Sequence, residues 1–399
     1  MTQTHSIDSV RSLTAILVAV IAAAVALITI PASAKARPDS KAVLSPVAFD
    51  VLYKPTPVRG ADGRNHLAYE LEVTNLSPMD VTLTKVGARA QNNVLGKALT
   101  GSDLAARTRL NAGGEGTTLI GGGSAMIFMD AAYSPGRRAP KRISHGIAMS
   151  WTDPESGQLT KLRFAGVPSG VAKRPPIKLA SPLRGGKWVA ASGCCTMNPH
   201  RSATLAIDGT VHAPERFAID FVQMNSEDRL FSGPLNQLSS YAYYGVPIHA
   251  ARSGRVVAVV NDLPEETPGT SPADPTVQTA AGNHVVVDMG KGRYALYAHL
   301  KTGSVRVKKG QRIKTGKILG LLGNTGNSDS PHLHFHVMDS PSPLQSNGLP
   351  YTFKSFRGQG FIKDVNALIA GNDPGISSRL IGPHRNQLTL DNQIVNFGN

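Results

Sequence analysis

Residues 324–337 read NTGNSDSPHLHFHV, a Gly- and Asn-rich turn followed by a strict alternation. His332, His334 and His336 point one way and Leu333, Phe335 and Val337 the other, the period of a half-buried β-strand. Neighbouring positions on one face of a strand are about 7 Å apart along the backbone. That is close enough for one imidazole to bind a metal while the other reaches the water on it. The plainer reading is a strand whose polar residues line its wet side, and it suits His336, two steps beyond His332 and without an obvious partner. For His332 and His334, directly after a rigid turn, a site is the stronger reading.

Three further blocks lie upstream in a fixed order: YGVPIHAARSGRVVAVV at 244–260, GNHVVVDMGKGRYALYAHL at 282–300 and VRVKKGQRIKTGKILGLLGNTG at 305–326. Together with SPHLHFHV these resemble the conserved blocks of the M23 (lysostaphin/LytM-like) zinc metallopeptidases, which cut peptide bonds in bacterial peptidoglycan. The resemblance is strong over 245–337, weaker back to about 191, and covers nothing outside that range. It implies an M23-type β-sheet/barrel-sandwich domain, a Zn2+ cofactor and peptidoglycan cross-link peptides as the partner.

Members of that family hold zinc with the His and Asp of H-x-x-x-D and the second His of H-x-H, while two more histidines flank the water on the metal. By resemblance Asp220, in RFAIDF, is the carboxylate ligand, His334 an imidazole ligand, and His299 and His332 the flanking pair. His332 is then expected as general base, and His299 as a hydrogen-bonding partner of the oxyanion or the attacking water; the two roles are not separable here. The first ligand departs from the pattern, because Arg216 stands four residues before Asp220. A guanidinium stays protonated and cannot ligate zinc. One reading supplies the nitrogen from His200, in NPHRSA at 198–203, where a loop can be redirected without rebuilding the sheet. The alternative pairs Arg216 with Asp220 and leaves a degenerate, non-catalytic fold that binds peptidoglycan or regulates another wall hydrolase. Retention of His299, His332 and His334 favours the enzyme.

The chain has 399 residues, enough for two or three domains, and its 40 Gly and 27 Pro among Val and Thr runs favour all-β architecture. Strands are expected over 67–74, 81–86, 124–133 and 143–151, a pattern that suggests an N-terminal immunoglobulin-like β-sandwich without convergent His, Cys or carboxylates. The expected organisation is a signal peptide or membrane anchor at 1–34, a β-sandwich module at 42–165, a Pro/Gly-rich basic linker at 166–186, the peptidase-like domain at 187–345 and a C-terminal extension at 346–399. Arg11, the apolar run 13–30 and PASA at 31–34 read as a secretory signal, with an uncleaved anchor as the alternative. Either places the remainder outside the cytoplasm, in the periplasm or cell envelope.

A formal charge of +15 suits an anionic partner, and the scattered Lys and Arg, with no zinc finger or RNA-binding signature, point to wall polymer and away from nucleic acid. The only cysteines, Cys194 and Cys195, are adjacent and lack metal-knuckle spacing, so a local structural role is expected. H-E-x-x-H and G-x-S-x-G are absent, which excludes helical zincin and nucleophile-elbow chemistry. The segment VKKGQRIKTGKILG also resembles the hairpins of biotinyl and lipoyl carrier domains, but no modifiable Lys in M-K-M or D-K-A is present. The excursion 262–281 interrupts the core and is expected either to wall a substrate groove or to decorate the surface.

Overall fold

The computed structural model describes residues 42–398 apart from 92, 271, 273 and 274, so the signal or anchor expected at 1–34 lies outside the described residues. The architecture is all-β with a few short helices, and none of the described helices is long and apolar enough to cross a membrane. Residues 45–399 form one compact unit around two main hydrophobic cores.

The first core lies between two antiparallel sheets. One is ordered Val47–Val51, Ala68–Asn75, Ser124–Asp130, Thr108–Leu110; the other is built on Leu159–Gly170, Arg142–Thr152 and Val81–Ala90. Leu71, Val73 and Ile127 from one and Leu83, Val86, Ile147 and Met149 from the other are almost fully buried. His66 and His145 are both engaged. His145 Nε2 lies 2.7 Å from the Tyr69 hydroxyl. His66 sits between the carboxylates of Asp130 (3.0 Å) and Asp62 (3.2 Å).

The second core supports the large sheet that carries the histidines. Its central path runs Tyr351–Ile362, Gln393–Asn396, Trp188–Ala191, Ile219–Gln223, Leu333–Met338, Tyr294–Ala298, His284–Asp288, Gly254–Val260. Tyr351–Ile362 and Gln393–Asn396, from the C-terminal extension, are thus paired within this sheet. Phe335 is fully buried and packs edge-on to Tyr351 at 5.2 Å and against Tyr297 and Phe353, an aromatic cluster that fixes the face of the 333–338 strand. The opposite face is not wet: His332, His334 and His336 are 9%, 5% and 1% exposed. This corrects the reading of His336 as a solvent-facing residue. Neighbouring loops and strands roof that side of the strand.

The excursion at 262–281 is tied to the turn preceding His332. Glu265 accepts from the amides of Thr302 (2.8 Å) and Asn324 (2.7 Å), and Asn324 Nδ2 donates to the carbonyl of Glu266 at 2.9 Å. That turn is closed by Gly282 and Gly326, both at positive φ; a Cβ on Gly326 would lie 2.3 Å from the Gly282 nitrogen. Cys194 and Cys195 are joined to each other and buried, in the loop between Ala191 and the short helix Pro199–Ser202.

Burial alone would lower the His66 pKa, but its hydrogen bonds to Asp130 and Asp62 outweigh that and raise it to about 9. A raised folded-state pKa stabilises fully below the unfolded value near 6.5 and loses that contribution as pH climbs through 9. His66 should therefore contribute about 3 kcal/mol of stability that is lost between pH 6 and pH 9.5, and urea unfolding of His66→Gln should show a fall over that window smaller than the wild type's by that amount.

Candidate metal centre

Strand register builds the site. Ile219–Gln223 and Leu333–Met338 are antiparallel with Asp220 directly opposite His334, flanked by the pairs Ile219 with Phe335 and Phe221 with Leu333. On the other side of the 333–338 strand, Ala298 pairs with His334, so His299 emerges one residue beyond, at positive φ. On the other side of the 219–223 strand, Asp220 pairs with Ala191, and the loop leaving Ala191 returns as the helix Pro199–Ser202. Asn198 caps that helix by accepting from the Arg201 amide at 2.8 Å, and His200 faces the sheet.

The structure brings all five expected residues together. His200 Nε2 is 3.1 Å from Asp220 Oδ2, His334 Nδ1 is 3.0 Å from Asp220 Oδ1, and His332 Nε2 is 3.3 Å from Asp220 Oδ1. The His299 ring centre lies 4.6 Å from that of His332 and 5.7 Å from that of His334. Among the described residues, His200, Asp220 and His334 form one group whose ligand atoms lie within 4.8 Å of one another, and His299, His332 and His334 form another. A third, His66 with Asp130 and Cys195, has its sulfur committed to the disulfide.

Arg216 is absent from this constellation. Its guanidinium turns away to the buried carboxylate of Glu70 (Nε to Oε1 2.9 Å) and donates to the Gly348 carbonyl at 3.1 Å. The Arg216–Asp220 ion pair required by the non-catalytic alternative does not form. Asp220 has imidazoles as partners instead.

Backbone carbonyls select the tautomers. His200 Nδ1 is 3.0 Å from the Ser192 carbonyl, His299 Nδ1 is 2.7 Å from that of Thr325, and His332 Nδ1 is 2.8 Å from that of Ser330. A carbonyl only accepts, so each Nδ1 carries hydrogen and each neutral ring presents its Nε2 lone pair to the site. His334 is reversed. Its Nε2 is 2.9 Å from His336 Nδ1, which leaves Nδ1 for Asp220 when Nε2–H donates to His336. His336 Nε2 then carries the hydrogen, buried and without a partner.

This donor set suits zinc. Two imidazole nitrogens and one carboxylate oxygen, with a second hydrogen bond orienting each imidazole, are the composition of a three-ligand catalytic zinc site. Ligand atoms on a tetrahedral zinc lie about 3.3 Å apart, close to the 3.0 and 3.1 Å found between Asp220 and the two imidazoles.

Electrostatically, Asp220 is the common counter-charge. Burial opposes its ionisation, but His200 and His332 hold it well below the ordinary carboxylate range. Burial likewise lowers His200, yet Asp220 outweighs it and raises the pKa to about 9; His332 is raised against its burial by the same carboxylate. His299 is pushed well below the ordinary value by burial and then by His332 and His334, so it stays neutral.

The sequence reading passed over several partners. His336 was legible as a third same-face residue, but its contact with His334 depends on the roofing of the strand. Glu215, whose Oε1 is 4.0 Å from His334 Nε2, is also close. The carbonyls of Ser192, Thr325 and Ser330 carry no side-chain signal at all.

Comparison with known proteins covers part of this region. The profile described as peptidase family M23 matches residues 238–346, an interval that contains His299, His332 and His334 but neither His200 nor Asp220. The chain thus contains a domain that matches peptidase family M23. It is 39% identical over 66 residues to the peptidoglycan DD-endopeptidase ShyA of Vibrio cholerae, covering 16% of this chain and 15% of that one. It is 34% identical over 86 residues to the glycyl-glycine endopeptidase ALE-1 of Staphylococcus capitis, covering 22% of each. The chain thus spans less than a quarter of the length of these curated relatives. Among solved structures, the catalytic domain of lysostaphin from Staphylococcus simulans is 25% identical, with 41% of this chain and 88% of that one covered and a TM-score of 0.23.

His200→Ala removes one of three ligand atoms and should abolish stoichiometric zinc, measured by metal analysis after loading at neutral pH. Full zinc occupancy in that variant would exclude His200 as a ligand.

Proposed function

We propose that this chain is an exported zinc-dependent endopeptidase that hydrolyses peptide bonds of bacterial peptidoglycan. The observation that carries the reading is the convergence of His200, Asp220 and His334 on one point, with His299 and His332 beside it. The match of residues 238–346 to family M23 and relatives named for peptidoglycan and glycyl-glycine endopeptidase activity support the substrate class. The same support favours a cell-envelope location, with the N-terminal apolar run as signal or anchor. The two separate cores support the division into a β-sandwich module and a peptidase module.

His200, Asp220 and His334 would hold the zinc, which supplies a Lewis acid for the scissile carbonyl and lowers the pKa of water towards about 7. His332 is the base of the flanking pair in this reading, its Nε2 lying 3.3 Å from the Asp220 carboxylate that would hold the metal. His332 Nε2 takes the proton of the attacking water and returns it to the leaving amine, its Nδ1–H anchored on Ser330 meanwhile. His299, with Nδ1–H held by Thr325, has no Nε2 hydrogen when neutral. It therefore orients the water as an acceptor and does not donate to the oxyanion.

Glu265 and Glu266 of the excursion are tied to the turn that precedes His332, which supports the reading of the excursion as a border to the bound peptide. The engagement of Arg216 by Glu70 counts against the non-catalytic alternative, since Asp220 is left to the histidines.

Incubation of purified sacculi with the zinc-loaded protein should convert cross-linked muropeptides into monomers, read by mass spectrometry. His332→Ala should slow that conversion by roughly 10²- to 10⁴-fold. Unchanged muropeptides with a zinc-loaded wild type, the protein still sedimenting with sacculi, would favour a binding role.

A further inference from the structure

His200 belongs to a four-residue helix, too short to hold its own orientation, so whatever grips the segment 195–204 sets the aim of its Nε2. Part of the grip is local, from Asn198 Nδ2 to the Gly193 carbonyl (2.7 Å) and Thr196 Oγ1 to Asp391 (2.6 Å), and the rest comes from the first β module. Arg201, next to His200, is 2% exposed and buries its guanidinium between the strands Ala68–Asn75 and Ser124–Asp130. There it donates to the carbonyls of Tyr69 (2.7 Å) and Met129 (3.0 Å), pairs with the carboxylate of Glu70, and lies against the Phe128 ring. Arg109, on the neighbouring strand Thr108–Leu110, donates to the Ser202 carbonyl and to Thr204 Oγ1, and Arg107 reaches the Cys195 carbonyl at 3.4 Å.

Glu70 has no exposed surface, and its second partner is Arg216. One carboxylate thus ties together the residue after the relocated ligand and the residue at the position where the family carries its first ligand. Burial disfavours its charge, but Arg216 and Arg201 hold its pKa down at about 2, so it is ionised throughout the working range.

We infer that Glu70 and Arg109 of the first module are positioning residues for the metal centre: they hold the Pro199–Ser202 helix so that His200 faces Asp220, and Glu70 draws the Arg216 guanidinium away from that carboxylate. The β-sandwich is on this view a structural part of the site and not a spacer. The inference rests on the zinc reading of His200, Asp220 and His334.

The full-length chain tests it with zinc affinity by chelator competition and the visible spectrum of the cobalt-substituted protein, both taken well below the melting temperature. Glu70→Gln keeps the shape but leaves two buried guanidiniums without a counter-charge. It should weaken zinc binding by 10- to 100-fold and alter the cobalt spectrum, as loss of an outer partner of a ligand does. Arg109→Gln should weaken binding in the same direction, and it decides the matter alone if Glu70→Gln does not fold. Met149→Ala, in the first module's core and away from the helix, should lower the melting temperature and leave zinc affinity within twofold. A zinc-binding wild type with unchanged affinity and spectrum in Glu70→Gln and Arg109→Gln overturns this inference alone. Loss of affinity in Met149→Ala equal to that in Glu70→Gln overturns it too, as general destabilisation. A wild type that takes up no zinc overturns the zinc reading and this inference together.

Discussion

Asp220 lies directly across a strand pair from His334, and the rest of the site is arranged around that register. Side chains directly opposite on antiparallel strands have Cβ atoms about 5 Å apart, so a carboxylate and an imidazole there can share one ion with little adjustment. Slippage by one residue would turn His334 into the core and bring Phe335 out. What prevents the slip is the apolar side of the same strand, where Phe335 is enclosed by Tyr297, Tyr351 and Phe353. Tyr351 and Phe353 come from beyond the histidine strand in sequence. The C-terminal strand therefore contributes to the site by fixing which face the histidines occupy.

Charge is partitioned just as firmly. Two buried guanidiniums, Arg201 and Arg216, share the Glu70 carboxylate on one side of the 219–223 strand's approach, while Asp220 is left to imidazoles. A guanidinium against Asp220 would neutralise it permanently, because Arg does not deprotonate, whereas an imidazole gives up its proton when a metal arrives. Replacing the expected ligand histidine by Arg216 is compatible with a metal centre only because the guanidinium has another buried anion to satisfy it. That anion stands on the strand Ala68–Asn75, beside the first hydrophobic core.

The tautomers show how backbone geometry reaches into the chemistry. Three imidazoles rest their Nδ1–H groups on the carbonyls of Ser192, Thr325 and Ser330, and the fourth leans on His336. The orientation of each ring is thereby set before any ligand binds, which lowers the reorganisation that binding requires. The Thr325 carbonyl is in place because Gly282 and Gly326 let two backbone segments meet where side chains would collide.

Much of this was legible in the chain itself. Period-two alternation at 332–337 identifies the strand and its histidines, the Gly- and Val-rich blocks identify all-β architecture, and the resemblance to the M23 peptidases implies Asp220 and His299 and roles for His332 and His334. His200 could be reached only by elimination, from the inability of Arg216 to ligate and the freedom of a loop to be redirected. The destination of the Arg216 guanidinium, the burial of His336 and the hold of Glu70 on Arg201 were invisible. The first and the last depend on contacts between residues more than 130 positions apart, and the burial of His336 on what packs over the strand. Local pattern encodes which face a side chain takes and whether its chemistry can serve a metal. Which distant group satisfies a buried charge is settled only when the modules pack, because low-dielectric burial makes pairing obligatory without specifying the partner.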